Sequence, residues 1–175
     1  IYKDGAFSGK YKSFLHHITK GKVAKAKVLH LKEPKKRIQT LTKAQAKQVI
    51  EACNNLRDKF LVCLMYETGM RIGQVLGLRH EDIKSGDNQI AIRFRPNNEN
   101  NARSKSREDN LVDVSSSIVS LYTDYFIHEY GEIESDYVFV NLWDGEIGAP
   151  MKYGSVITLF KRISKKTGID VTPHI

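Results

Sequence analysis

The chain has 175 residues, of which 41% are hydrophobic and 27% are charged, a composition typical of a globular protein with one main domain. No apolar run approaches the roughly 18 residues that a membrane span needs, and the first residues are too polar for a signal peptide. We therefore expect a soluble, cytoplasmic protein, and its net charge of +8 favours an acidic partner.

The positive charge is concentrated in the first 40 residues, which carry eleven Lys or Arg residues against only Asp4 and Glu33. A basic segment beside a nearly neutral body is typical of proteins that bind the phosphate backbone of nucleic acid, although a solvated tail has the same composition. The segment from Lys20 to Arg37 has too little apolar periodicity for a packed element. We therefore expect residues 1–37 to be a basic interdomain linker or the end of a preceding domain.

Helix signals predict that a second domain occupies residues 38–175. Thr42 and Gln45 have the spacing of a capping box, which predicts a helix start at Thr42. The apolar stretch from Leu56 to Glu67 predicts a buried central helix that Gly69 ends. A short helix is expected next, from Arg71 to Leu78, with Arg71 at its start.

Three extended segments, from Gln89 to Arg95, Leu111 to Val114 and Asp136 to Val140, predict a small antiparallel sheet. The polar stretch between the first two predicts a long hairpin loop over residues 96–110. Two amphipathic helices follow the second strand, and Gly168 is expected to end the second of them. Their predicted inward residues are Ile118, Leu121, Tyr122, Tyr125 and Phe126 in the first, and Tyr153, Val156, Ile157, Phe160 and Ile163 in the second.

Cysteine and histidine positions give no sign of a metal centre. Cys53 and Cys63 lie in apolar helical stretches, which favours two reduced core thiols over a disulfide or a metal pair. The six histidines show no metal-site spacing with Cys, Asp or Glu. We therefore expect no metal and no other cofactor, in a mixed α+β fold that is mainly α-helical.

The run TGMRIGQVLGLRHEDI, residues 68–83, closely resembles the first arginine motif of the tyrosine recombinase, or phage integrase, family. That motif is T-G-x-R-x-x-E-x-x-x-L, followed by a turn and Asp-Ile. The resemblance implies that Arg71 is catalytic, and a guanidinium at a helix start can bind two phosphate oxygens with its planar fork. Gln74 stands where the family usually has an acidic residue, which implies weaker orientation of Arg71.

Two later segments also resemble the family. Lys105 lies in the predicted hairpin loop, six residues before Leu111-Val112-Asp113-Val114, where the family has its catalytic lysine before a similar strand. This register favours Lys105 over Lys84, and the implied role is that of a general acid for the leaving 5′ oxygen. Val171-Thr172-Pro173-His174 is similar to the start of the family's HxxR signature, which makes His174 its histidine. A solvated loop lysine and a helix-capping turn are the alternatives.

The resemblance covers about residues 38–175 and implies a tyrosine-recombinase catalytic-domain fold with a three-stranded antiparallel sheet. It implies site-specific DNA recombination, as by an integrase or transposase of a mobile element, through a 3′-phosphotyrosyl intermediate. The family's second arginine and its nucleophilic tyrosine would follow Ile175. We therefore expect a C-terminally truncated fragment, monomeric and inactive by itself, of a bacterial or phage-encoded protein that works as a tetramer on two DNA sites.

The expected partner is double-stranded DNA, and the residues expected to contact it are Lys20, Lys22, Lys25, Lys27, Lys35, Lys36, Arg37, Arg103 and Arg107. Two alternatives remain open at this point. Residues 68–83 also resemble a helix-turn-helix, so a non-catalytic DNA-binding module would explain the charge but not Lys105 or His174. A type IB topoisomerase would use the same catalytic residues.

Overall fold

The computed structural model describes residues 2–4, 25–27, 40–103 and 108–173, in two units that span Ile1–Arg37 and Ile38–Ile175. In the first unit, strand β1 (Tyr2–Asp4) pairs antiparallel with strand β2 (Lys25–Lys27), and Tyr2 lies opposite Lys27. Strand β2 thus lies inside the segment predicted to have no packed element. Backbone pairing alone can form such a strand, because it does not require apolar alternation.

Local capping signals determine where the helices of the second unit begin and end. The predicted capping box is present, since Thr42 Oγ1 accepts from Gln45 N–H and Gln45 Oε1 accepts from Thr42 N–H. Gly69 and Gly168 end two helices in the left-handed conformation, at φ 65° and 71°. The helices are α1 (Lys43–Glu51), α2 (Leu56–Thr68), α3 (Ile72–Leu76), α4 (Ser116–Tyr125) and α5 (Tyr153–Thr167).

The second unit contains a three-stranded antiparallel sheet in the order β3 (Ile83–Lys84), β4 (Gln89–Ile92) and β5 (Asn110–Asp113). The expected number of strands is correct, but the predicted third strand from Asp136 to Val140 is wrong. Tyr137 instead forms an isolated bridge with Arg79, and Val140 forms one with Pro150. Residues 137–140 are all buried, so this extended segment runs through the core, and it pairs with none of β3, β4 and β5.

Helix α2 is the centre of the core, as its apolar sequence predicts, and it packs against α1, α3 and α4. The Phe60 ring lies 5.3 Å from the ring of Phe139 and 6.1 Å from that of Tyr125, measured between centroids. The Tyr125 hydroxyl donates to the carbonyl of Val138 over 2.8 Å. These contacts attach both α4 and the extended segment at 137–140 to α2.

A π-helical turn, Phe126–Tyr130, continues from α4 and changes the direction of its side chains. The Glu129 carboxylate accepts from the N–H groups of Leu56 and Arg57, at 2.7 and 2.9 Å, and so satisfies the free start of α2. Phe126, predicted to point inward, is 41% exposed because regular α-helical spacing ends at Tyr125.

A buried carboxylate, Asp82, joins the turn after α3 to Arg95, which lies beyond the end of β4 at the start of the hairpin loop. Asp82 lies in a 3-10 turn (His80–Asp82) and is 0% exposed. Both of its oxygens accept from the Arg95 guanidinium, at 2.8 and 2.9 Å, and one also accepts from Arg79 N–H. The hydrogen bonds to Asp82 raise the pKa of Arg95 above its usual value.

In the part of the chain that the structure describes, no helix is both long and apolar enough to cross a membrane. Cys53 and Cys63 are free and half-buried, and they form no disulfide with each other. Burial raises the pKa of the Cys53 thiol to about 12. This thiol is therefore protonated at neutral pH.

We predict that Asp82→Ala lowers the free energy of unfolding by about 2–4 kcal/mol, because it removes the buried carboxylate that accepts from Arg79 N–H and from the Arg95 guanidinium, and leaves Arg95 with only the exposed Glu81. The Arg95 side chain is only 18% exposed. Urea denaturation of the purified protein measures the loss. Glu51→Ala is the control, since it breaks an exposed pair with Lys47 and should cost less than about 1 kcal/mol. Equal losses in the two variants would contradict this reading of Asp82.

Candidate active site

Arg71 lies at the start of helix α3, where the predicted motif placed it. Its backbone is extended, with φ −72° and ψ 148°, and its side chain is exposed. The Gln74 side-chain oxygen accepts from the Arg71 backbone N–H over 2.9 Å. Gln74 therefore caps the helix and holds the backbone of Arg71, while nothing within residues 40–103 and 108–173 hydrogen-bonds the guanidinium.

An open cleft of about 600 Å³ adjoins Arg71. It is formed by the start of α3, by the hairpin loop and by the start of α5. Its walls include Arg71, Gly73, Arg103, Tyr153 and Pro173. The structure thus brings together Arg71, the predicted DNA contact Arg103, and the residue that precedes His174.

The hairpin loop is polar, as expected, but in its first half the side chains of Asn98, Asn100 and Ala102 are buried. The Asn98 side chain is buried and donates to the carbonyl of Ala102 over 2.8 Å and to that of Arg95 over 3.3 Å. Asn101 adopts a left-handed backbone, φ 57°, and its N–H donates to the Asn98 carbonyl. This tight turn leads the chain from Arg95 to Arg103.

The backbone of Arg103 lies directly against helix α3. A Cβ atom on Gly73 would fall well inside the van der Waals distance of the Arg103 carbonyl oxygen. Only glycine permits this approach, because it has no side chain at that point. Gly73 therefore allows helix α3, the arginine helix that begins beside Arg71, to lie against the hairpin loop along one wall of the cleft. The sequence analysis did not identify this residue.

The other predicted site residues are not all described. Lys25 and Lys27 lie in strand β2, of which the structure gives the backbone pairing. The remaining predicted residues fall outside the described residues, and they are Lys20, Lys22, Lys35, Lys36, Arg37, Lys105, Arg107 and His174.

Tyr153 was predicted to point into the core, but it is 45% exposed and lines the cleft. It is the first residue of α5, before the helix turns its apolar face inward. Tyr125, Tyr130 and Tyr137 are core residues, and Tyr122 packs against the core. Burial raises the pKa of Tyr122 to about 12, and burial likewise raises the pKa values of Tyr125 and Tyr130.

The arrangement is suited to binding an anion with two planar groups. Arg71 and Arg103 are both exposed, and within the described ranges neither guanidinium is engaged by a carboxylate. A phosphodiester offers two non-bridging oxygens to such donors. Among the residues that the structure describes, no group of three His, Cys, Asp or Glu side chains could hold a metal ion.

The sequence model of the phage integrase family matches residues 39–175. Transposase A from transposon Tn554 of Staphylococcus aureus is 50% identical over 166 residues, which cover 94% of this chain and 46% of that protein. Tyrosine recombinase XerA of Saccharolobus solfataricus is 27% identical over 141 residues, covering 81% of this chain and 41% of that protein. The chain thus spans about half the length of the curated relatives it matches.

Two solved structures share the fold. The crystal structure of XerA recombinase matches with a TM-score of 0.65 and 23% identity, over 81% of this chain and 48% of that one. The integrase of transposon Tn1549, in complex with transposon right end DNA, matches with a TM-score of 0.65 and 16% identity, over 82% of this chain and 52% of that one. These structures confirm the predicted fold.

We predict that Gly73→Ala lowers the free energy of unfolding by about 1–3 kcal/mol, because the new methyl group forces the Arg103 carbonyl away from α3. Urea denaturation measures the loss. Gly154→Ala is the matched control, since it is also near a helix start but its Cβ would meet no atom within 4 Å. The control should be neutral or stabilising by up to about 1 kcal/mol, and a Gly73→Ala variant as stable as the control would refute the close approach.

Proposed function

The chain belongs to the phage integrase family, and from this premise we propose that the protein is a site-specific DNA recombinase that breaks and rejoins DNA strands. The observation that carries the proposal is the shared cleft of Arg71 and Arg103, whose guanidinium groups can bind one phosphodiester. The 50% identity to a transposase favours movement of a mobile element as the biological outcome.

The proposed reaction begins when a tyrosine hydroxyl attacks the scissile phosphorus. The bond from phosphorus to the 5′ oxygen breaks, the 5′ oxygen takes up a proton, and a 3′-phosphotyrosyl bond forms. A second strand's 5′ hydroxyl then reverses the step. Because the phosphodiester energy is retained in the covalent link, the exchange needs no nucleotide cofactor.

The main task of the protein is to stabilise negative charge on the pentavalent phosphorane. We assign this role to Arg71, whose backbone is held by Gln74 while its guanidinium faces the cleft. His174 would add a second donor, and Pro173, which precedes it, lines the same cleft. Lys105 would protonate the leaving 5′ oxygen.

We assign the nucleophile to no tyrosine within residues 1–175. The Tyr125 and Tyr130 hydroxyls donate to backbone carbonyls in the core, and the raised pKa values of both disfavour the phenolate. Tyr153 does line the cleft, but the family resemblance places the nucleophilic tyrosine after the HxxR signature, later in the chain than Tyr153.

The proposed partner is double-stranded DNA, and the related Tn1549 integrase was solved with transposon DNA bound. The basic residues of the first 40 positions, together with Arg103 and Arg107, would contact phosphates, so affinity should fall steeply with salt. The working unit would be a tetramer on two DNA sites. A protein with this activity acts on nucleoid DNA in the cytoplasm.

We predict that Arg71→Ala slows formation of the covalent protein–DNA adduct by at least about 10²-fold, because it removes charge stabilisation from the transition state. The assay uses the full-length gene product and a suicide substrate nicked near the cleavage site, with adducts resolved on a denaturing gel. Arg71→Lys should recover only part of the rate, since it keeps the charge but loses the planar fork.

Lys47→Ala is the control for lost positive charge, because Lys47 is an exposed residue of α1 outside the cleft. It should form adduct at the wild-type rate. A wild-type protein that binds DNA in a salt-sensitive way but forms no adduct would favour a non-catalytic DNA-binding module. Relaxation of supercoils without strand exchange would favour a topoisomerase.

We further predict that Lys105→Ala slows adduct formation by about 10²–10⁴-fold on normal DNA, as expected when a general acid is lost. A substrate with sulfur in place of the bridging 5′ oxygen should restore most of this rate, since a thiolate leaves without a proton. The same substrate should not restore Arg71→Ala, whose defect is in charge stabilisation. Equal restoration of both variants, or of neither, would contradict the assignment of Lys105 as the acid.

A further inference from the structure

A single buried side chain, that of Asn100, connects the three segments that form the cleft. Asn100 is 7% exposed. Its amide nitrogen donates to the carbonyls of Leu76 and Met151, each over 2.9 Å, and its oxygen accepts from Ala102 N–H over 3.0 Å. Both donors of the amide and one lone pair of its oxygen are therefore used within the fold.

Each partner of Asn100 belongs to a different wall of the cleft. Leu76 is the last residue of α3, whose first turn carries Arg71. Ala102 precedes Arg103 in the hairpin loop, and Met151 lies two residues before Tyr153 at the start of α5. The three walls therefore share one junction, and Leu76, Asn100 and Ala102 themselves line the inner part of the cleft.

Asn100 is well matched to this position because it satisfies groups that the fold leaves unpaired. The carbonyl of Leu76 is one of the last carbonyls of α3, which have no partner within the helix. A buried carbonyl without a hydrogen bond is costly, so the two donors of the amide fix the distance between α3 and the segment before α5. An apolar or shorter side chain could not hydrogen-bond both the Leu76 and the Met151 carbonyls.

The path from Asn100 to the cleft surface is short. Ala102, which the Asn100 oxygen holds, is buried, and the next residue is Arg103. The Arg103 carbonyl in turn lies against Gly73, two residues after Arg71. The loop is thus held at both ends of α3, by Asn100 at the last residue and by Arg103 near the first, and Arg103 has little freedom to shift along the helix.

We propose that Asn100 is a positioning residue for DNA cleavage, which acts through Arg103 by fixing that residue's backbone against the arginine helix. The inference rests on the proposed function, since it assumes that the cleft binds the scissile phosphodiester. It assigns to Asn100 no contact with DNA. Its contribution is to keep Arg103 and Arg71 at the spacing that one phosphate requires.

The test is a double-mutant cycle on the rate of adduct formation, measured in single turnover with saturating full-length protein. Asn100→Ala and Arg103→Ala should each slow the rate by about 10-fold or more, since a shift of about 1 Å can cost up to about 10²-fold. The double variant should be no slower than the slower single variant. Such non-additivity is expected only if Asn100 acts through Arg103.

Tyr125→Phe is the matched control, because it also removes a buried hydrogen bond to a backbone carbonyl but lies in the core. It should lower stability without changing the cleavage rate of folded protein. Asn100→Ser, which supplies one hydroxyl donor in place of the two amide donors, replaces Asn100→Ala in the cycle if the alanine variant does not fold. The rate of adduct formation by Asn100→Ser should lie between that of the wild type and that of the Arg103→Ala variant.

Two results would overturn the proposal while leaving the proposed function intact. One is a double variant whose defect is the product of the two single defects, which would show independent action. The other is an Asn100 variant that cleaves as fast as Tyr125→Phe. If the wild-type protein itself forms no adduct, the proposed function fails instead, and the two failures are thereby distinguished.

Discussion

The ion pair between Asp82 and Arg95 is the contact on which the position of the cleft depends. Asp82 lies in the 3-10 turn (His80–Asp82) that follows helix α3, and Arg95 lies at the start of the hairpin loop. A carboxylate with no exposed surface is tolerated only where its partners satisfy it, so the turn and the strand end are held at one distance. The Asp82–Arg95 ion pair therefore fixes the position of the hairpin loop, which carries Arg103, relative to the turn after helix α3, which carries Arg71.

The Arg95 guanidinium is held by ion pairs, and in this it differs from the two guanidinium groups at the cleft. In the described part of the chain the partly buried Arg95 is engaged by the carboxylates of Glu81 and Asp82, whereas Arg71 and Arg103 are exposed at the cleft. Their charges are thus available to an incoming anion without first breaking an internal pair. A site whose donors are placed in advance loses little free energy in reorganisation when negative charge develops.

Local sequence signals predicted what depends on neighbouring residues, such as the Thr42 capping box, the Gly69 helix end and the position of Arg71. They failed where the structure depends on contacts between residues that are far apart in the sequence. Residues 136–140 have the composition of a strand, but they form only isolated bridges, with Arg79 and with Pro150, and belong to no sheet. The partners of Asn100 lie 24 and 51 positions away, so no local pattern could reveal them. The roles of Lys105 and His174 stay predictions.

The same long separation has a consequence during synthesis on the ribosome. Arg71 and Arg103 emerge early, but the Asn100 junction needs the carbonyl of Met151, and the third wall needs α5. Translation proceeds at about 5–20 residues per second, so a nascent chain spends seconds with its arginines synthesised and its cleft unassembled. A growing chain therefore cannot hold a phosphodiester in working geometry until α5 has been made.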